Sequence, residues 1–388
     1  MVETGLDVFL RHKAGPWLGK RAGLIAHQAS VDQNLQPAAE ALDKLRGFRL
    51  ATLFAPEHGL DGALQDQIPV ERKTDPARRR PVYSLYGKNR LSPPRQALAR
   101  LDCLLFDLQD IGVRYYTFIW TMVLAMKAAA AAGIPFVVLD RPNPLGGEIV
   151  EGNIPDPSFA SFVGLLPIPV RHGMTCGELA RYFNDKYRLG CDLTVVAMRG
   201  WKRRDWFDET GLPWVMPSPN MPTLDTATVY AGMCLLEATN LSEGRGTTRP
   251  FEVAGAPFIE AEKLRKALQK LALPGVLFRP CAFSPTFNKW AGRTCRGVQL
   301  HVTDRKKFLP YRTGLCFLQT VRRLWPGRFR WKKPPYEYET RKRPMDILCG
   351  TEGLRKAVDA GKDIRELSKA WEGPLRGFLS ERKKALLY

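Results

Sequence analysis

The chain has 388 residues, 45% of them hydrophobic and 25% charged, enough to fill two cores and too well mixed for disorder. Lysine and arginine number 59 against 39 acidic residues, a formal charge of +20 that suits nucleic acid, a wall polymer, an anionic membrane surface or simply a soluble basic exterior. No apolar stretch reaches the roughly 20 residues of a membrane span; the longest, "WTMVLAMKAAAAAGIPFVVL", is broken by Lys127, Gly133 and Pro135.

The opening "MVETGLDVFLRHKAG" lacks the basic start and small-residue cleavage site of a signal peptide, which points to the cytoplasm. Trimmed of a leader, the same chain would be periplasmic or secreted. The eight cysteines (103, 176, 191, 234, 281, 295, 316 and 349) form no CxxC pair and read as buried thiols in a reducing compartment.

In chain order, "RAGLIAHQAS" is an apolar run with a polar end, followed by a helical stretch over Pro37–Lys44. "FRLATLFAPEHG" is a second such run and "LDCLLFDLQDIG" a third. "TFIWTMVLAMKAAAAAG" has the length and alanine content of a helix stopped by Gly133. "IPFVVLDRPNP" and "CDLTVVAMRGW" are the fourth and fifth strands, separated by the helix "TCGELARYFNDKY", whose Thr175 and Glu178 have capping-box spacing. Apolar strands alternating with helices predict a Rossmann-like α/β parallel sheet covered on both faces.

Beyond the proline-punctuated "MPSPNMPT", the pattern predicts a helix from Asp225 to about Leu235, then the helix "EAEKLRKALQKL", the strand "RGVQLHVTD", the helix "GLCFLQTVRRLW" and a last helix over Ile364–Trp371. This reads as a smaller α/β domain, so the expected division is 1–235 and 236–388. The basic segment 322–343 carries no nucleic-acid motif and reads as a solvated face rather than a nucleic-acid interface. Nothing in the sequence sets an oligomeric state.

In parallel sheets ligands bind beyond the carboxyl ends of the strands. Four strand ends here are polar: His27-Gln28, Glu57-His58, Asp107 to Asp110, and Asp140 to Asn143. Four ending alike predict a site. No GxGxxG or GxxxxGK[ST] phosphate loop is present, so no nucleotide cofactor is expected. No HExxH occurs and no metal is expected, although His58, His172 and Asp110 are a conceivable ligand set. A G-x-S-x-G nucleophile elbow is also missing.

Carboxylates, amides, arginines and tyrosines suit a sugar. Glycoside cleavage needs a carboxyl kept protonated and a group that stabilises positive charge at the anomeric carbon. Glu57, between Phe54 and Pro56, is the candidate acid, because desolvation disfavours its anion. Tyr115, Tyr116 and Trp120 offer faces to a ring, and Asn143, Asn220 and Asn240 offer amides to hydroxyl and acetamido groups. Arg114 and Arg245 are candidates to clamp a carboxylate. For each there is a plain structural alternative: Asn143 shaping a turn, Arg114 pairing Asp110.

The stretches "FAPEHGLDG", "LYG", "FDLQDIGVRYYTFIWTM", "LDRPNPLGG", "IPVRHGMTCGELA", "GLPWVMPSPNMPTLDTATVY", "LLEATNLSEGRGTTRPFEVAGAP" and "GVQLHVTD" together resemble the exo-β-N-acetylmuramidase (NamZ-like) family of glycoside hydrolases. The likeness runs from about residue 4 to the terminal "LLY". It implies a Rossmann-like N-terminal domain, a smaller C-terminal domain and an active-site cleft between them. It also implies release of N-acetylmuramic acid from non-reducing ends of peptidoglycan fragments, or from the MurNAc-GlcNAc disaccharide, in cell-wall turnover or recycling. The proposed catalytic acid of the family's PEHG motif falls on Glu57. His58 is expected to orient or bind. The second catalytic group stays open among Glu237, Glu243, Asp110 and the substrate's own acetamido group. Two rival functions remain: a non-catalytic wall-sugar-binding protein, and a metal-dependent hydrolase of an acidic substrate.

Overall fold

The five apolar runs become parallel strands. In the computed structural model, which describes residues 1–65, 73–74, 80–87 and 91–388, they are β1 (Arg21–Ala26), β2 (Arg49–Ala55), β5 (Cys103–Asp107), β6 (Phe136–Leu139) and β7 (Leu193–Val196). Two short strands, β3 (Lys73–Thr74) and β4 (Pro81–Ser84), complete a sheet of order β3-β4-β2-β1-β5-β6-β7, antiparallel only at β3-β4. β1 lies centrally, with Leu24 opposite Leu53 of β2 and Leu105 of β5. Side chains alternate across a strand, so β5 supplies two cores. Leu104 and Phe106 pack with Trp120 and Ala129, while Cys103 and Leu105 pack with Leu6, Phe9 and Leu42 on the other face.

The helix Phe118–Ala132 ends where predicted, with Gly133 in the left-handed conformation (φ 67°). The helix Cys176–Lys186 begins with the expected capping box between Thr175 and Glu178. The second half carries a three-stranded antiparallel sheet of β8 (Val253–Ala256), β9 (Val276–Phe283) and β10 (Cys295–Val302), with β10 in the middle. Of these strands only β10 is evident in the sequence pattern.

The predicted helices lie at Ala38–Lys44, Leu224–Met233, Ala261–Gln269, Pro310–Leu324 and Ile364–Lys369. Leu224–Met233 and Pro310–Leu324 touch through glycine. A Cβ on Gly232 would stand 1.9 Å from the Pro310 carbonyl oxygen, and one on Gly314 would stand 2.3 Å from that of Gly232. That close crossing leads directly into the 3₁₀ turn Cys234–Ala238, which carries Glu237.

Three of the four polar strand ends are absorbed into the structure. Asp107 forms a buried ion pair with Arg141, Nη2 to Oδ2 at 2.8 Å. Asp140 accepts hydrogen bonds from Thr175, the Gly177 N–H and Tyr388. His27 accepts the Gln109 N–H on Nε2 at 3.0 Å. Burial, then the nearby Arg141 charge, push its pKa down to about 3.

The folded His27 thus binds its proton more weakly than the unfolded side chain, with its ordinary value near 6.5. Its contribution to stability is present above that value and is lost as the pH falls toward 3. Between pH 6.5 and pH 5 the loss should be about 2 kcal/mol. In His27→Gln, which keeps an acceptor for Gln109, denaturant unfolding at the two pH values should show a smaller drop. An equal drop in both proteins would remove His27 as its source.

Candidate active site

The fourth strand end is different. After β2 the chain turns at Pro56–Gly59, closed by the Gly59 N–H on the Pro56 carbonyl at 3.1 Å. The third residue of this turn, His58, has φ 73°, a left-handed conformation that usually selects glycine or asparagine. The turn presents Glu57 and His58, both buried, to a narrow pocket. His58 Nδ1 faces the Leu64 carbonyl at 2.8 Å and must donate to it, so a neutral ring leaves Nε2 as an acceptor.

One wall comes from the start of the helix Phe118–Ala132. Thr117 sits at its N-cap, but its hydroxyl donates to Glu57 Oε2 at 2.7 Å instead of capping the helix. Tyr115, Tyr116 and Phe118 continue this wall, and Ser218, Asn220 and Met221 form another. Asn220 Nδ2 donates to Gln65 Oε1 at 2.7 Å. Tyr115 is fixed by a hydrogen bond to the Ala231 carbonyl.

The remaining wall belongs to the second half of the chain: Tyr230, Glu237, Arg245, Phe251, Tyr336 and Glu337. Glu237 receives Arg245 Nη2 on one oxygen and the Tyr336 hydroxyl on the other, each at 2.7 Å. Burial opposes its ionisation, but Arg245, Tyr336 and Lys289 outweigh burial and hold its pKa below the usual glutamate value. Glu237 is therefore an ionised anchor for Arg245, a poor source of protons. Glu337 accepts the Tyr86 hydroxyl at 3.1 Å.

The structure thus gathers Glu57, His58, Tyr115, Tyr116, Asn220, Glu237 and Arg245 around one pocket. It sets the other candidates elsewhere. Arg114 is fully buried and donates to the carbonyls of Asn153, Ile168 and Leu348, so it is a structural brace that clamps no substrate carboxylate and does not pair Asp110. Asn143 bridges the Met174 carbonyl and the Leu145 N–H, which is its turn-shaping alternative. Asn240 ties down Arg328 and Arg330. Glu243 lies behind Arg245, 2.6 Å from Lys289 Nζ. Asp110 accepts the Gly112 N–H and stands 3.7 Å from His172. Trp120 is fully buried, its indole N–H on the Arg114 carbonyl. Among the described residues no three His, Cys, Asp or Glu side chains converge as metal ligands.

Tyr86, Tyr230, Phe251, Tyr336 and Glu337 escape the sequence reading. The only hint of the last two is "YEYE", aromatic and acidic residues alternating inside a basic run.

Fold and pocket together define a two-part α/β protein with a carboxylate-rich pocket walled by both halves. Residues 22–225 match the family described as Exo-beta-N-acetylmuramidase NamZ, N-terminal, and residues 228–388 its C-terminal counterpart. The chain belongs to this exo-β-N-acetylmuramidase NamZ family. It is 46% identical over 387 residues to the peptidoglycan beta-N-acetylmuramidase NamZ of Bacillus subtilis (strain 168), covering 100% of this chain and 91% of that protein. Two crystal structures of DUF1343 family proteins from Bacteroides fragilis are similar throughout. BF0371 has 34% identity and a TM-score of 0.90, and BF0379 has 28% and 0.79; each comparison covers 100% of this chain and 99% of the other.

Because Glu237 titrates below its unfolded value, its contribution to stability is present above that value and lost as the pH falls through the carboxylate range. Glu237→Gln should leave a buried cation poorly compensated and cost about 3 kcal/mol at pH 7, read by denaturant unfolding. A variant as stable as the parent would show that Glu237 does not anchor Arg245.

Proposed function

We infer that this chain is an exo-acting glycoside hydrolase releasing N-acetylmuramic acid from non-reducing ends of peptidoglycan fragments. The observation that carries this reading is the full-length 46% identity to a peptidoglycan beta-N-acetylmuramidase. The pocket chemistry agrees with it. Glu57 is the proton donor to the leaving oxygen, oriented by Thr117. The rings of Tyr116, Phe118 and Tyr230 border the sugar, and Ser218 and Asn220 bond its polar groups. Arg245 is the one arginine in the pocket wall among the described residues, so it is assigned to the lactyl carboxylate of muramic acid. All eight cysteines are free thiols, which fits a reducing compartment and recycling of imported fragments.

Glu57→Gln keeps the shape and removes the acid. Turnover of MurNAc-GlcNAc should fall about 10²–10⁴-fold with little change in melting temperature. A dinitrophenyl muraminide, whose leaving group needs no proton, should recover much of the rate. Ordinary turnover of the disaccharide by this variant would reduce the PEHG motif to a turn.

Arg245→Lys keeps the charge beside Glu237 and loses the two-pronged donor geometry. Activity on muraminides should drop at least about tenfold, one charged hydrogen bond, while weak activity on N-acetylglucosaminides barely changes. An unaltered preference between the two substrates would free Arg245 of this role.

A further inference from the structure

We propose that Tyr116 sets the pocket's specificity for an N-acetylated sugar: its hydroxyl donates to the acetamido carbonyl, and the rings around it receive the acetamido methyl. This deepens the muramidase reading and rests on it.

Three hydroxyls of the pocket wall are spent inside the protein. Tyr115 donates to the Ala231 carbonyl, Thr117 to Glu57 and Tyr336 to Glu237. Tyr116 is different. The residue is only 6% exposed, and its buried hydroxyl has no hydrogen-bond partner. The Ser218 hydroxyl is near enough to oppose the rise in pKa that burial imposes on the phenol, yet no hydrogen bond joins the two. Burial wins, so the phenol keeps its proton and remains a donor. A buried donor without an acceptor is unfavourable, and native structures keep few of them. This one feels the charges of Glu57 and Arg245, which line the same pocket.

The surroundings of this donor select its ligand. Phe118 meets the Tyr116 ring edge-on, with centroids 4.8 Å apart, and Tyr230 meets it at 5.9 Å. Tyr230 packs in turn on Phe251 at 4.8 Å, and Val163 and Met221 add to this apolar stretch of wall. A sugar hydroxyl both gives and takes hydrogen bonds, so a lone donor among rings answers only half of it. An acetamido group is answered in full, with its carbonyl on the phenol and its methyl against the rings. Glu237, held ionised, has no proton to offer that carbonyl. The other group that marks muramic acid, the lactyl carboxylate, is an anion and goes to Arg245.

Tyr116→Phe removes one oxygen atom and keeps the ring. Without ligand its melting temperature should equal or exceed the parent's, because no hydrogen bond is lost. The two proteins are then compared on a dinitrophenyl N-acetylmuraminide and on its analogue with hydrogen in place of the acetamido group. On the N-acetylated substrate kcat/KM should fall about tenfold, the worth of a buried polar group left unpaired. On the analogue it should not change. A dinitrophenyl leaving group needs no proton, so such a loss cannot arise through Glu57. An equal loss on both substrates, or no loss on either, overturns the assignment. A lower melting temperature also overturns it, since the hydroxyl would then be holding the fold. A parent that releases no muramic acid from MurNAc-GlcNAc would instead sink the muramidase reading.

Discussion

Left-handed backbone at residues with side chains is the constraint on which the pocket depends. Nine non-glycine residues have positive φ among the described residues, and three of them, His58, Phe251 and Glu337, line this one pocket. Each costs about 1–2 kcal/mol relative to glycine. Such strain persists only where surrounding packing over-determines it. His58 is held by β2 and by the Leu64 carbonyl. Phe251 is held against Tyr230, with ring centroids 4.8 Å apart, and against the Arg245 guanidinium. The sheet and the glycine-mediated helix crossing provide that rigidity.

Charge is distributed against the grain of the composition. The chain carries +20, yet Glu57, Glu237, Glu243 and Glu337 cluster at or just behind the pocket, with Arg245 and Lys289 among them.

The parallel sheet was legible because buried strands are apolar on both faces and stand out from any background. Two helix ends were equally clear, at Gly133 and at the Thr175–Glu178 box. What escaped has physical reasons. β9 contains Pro280, which a sheet tolerates because β9 is an edge strand, and β8 is four residues with a glycine at its centre. Arg114 misleads because a buried guanidinium that braces three carbonyls looks, in sequence, like one awaiting a ligand. Glu337 was hidden because its place depends on a turn whose residues are the wrong ones for that turn.

The strand ends show what separates a structural carboxylate from a reactive one. Asp107 and Glu237 are held by guanidinium groups, and Asp140 accepts a backbone N–H as well as two hydroxyls. Donors of the N–H kind cannot reverse, so adding a proton to such a carboxyl orphans a hydrogen bond in a buried place, at about 1–3 kcal/mol. A hydroxyl can rotate and become the acceptor. Thr117 against Glu57 and Tyr86 against Glu337 are such partners. A carboxyl that must be protonated in one half of a cycle and ionised in the other keeps its hydrogen bonds throughout only among hydroxyls. Thr117 gives Glu57 such a partner.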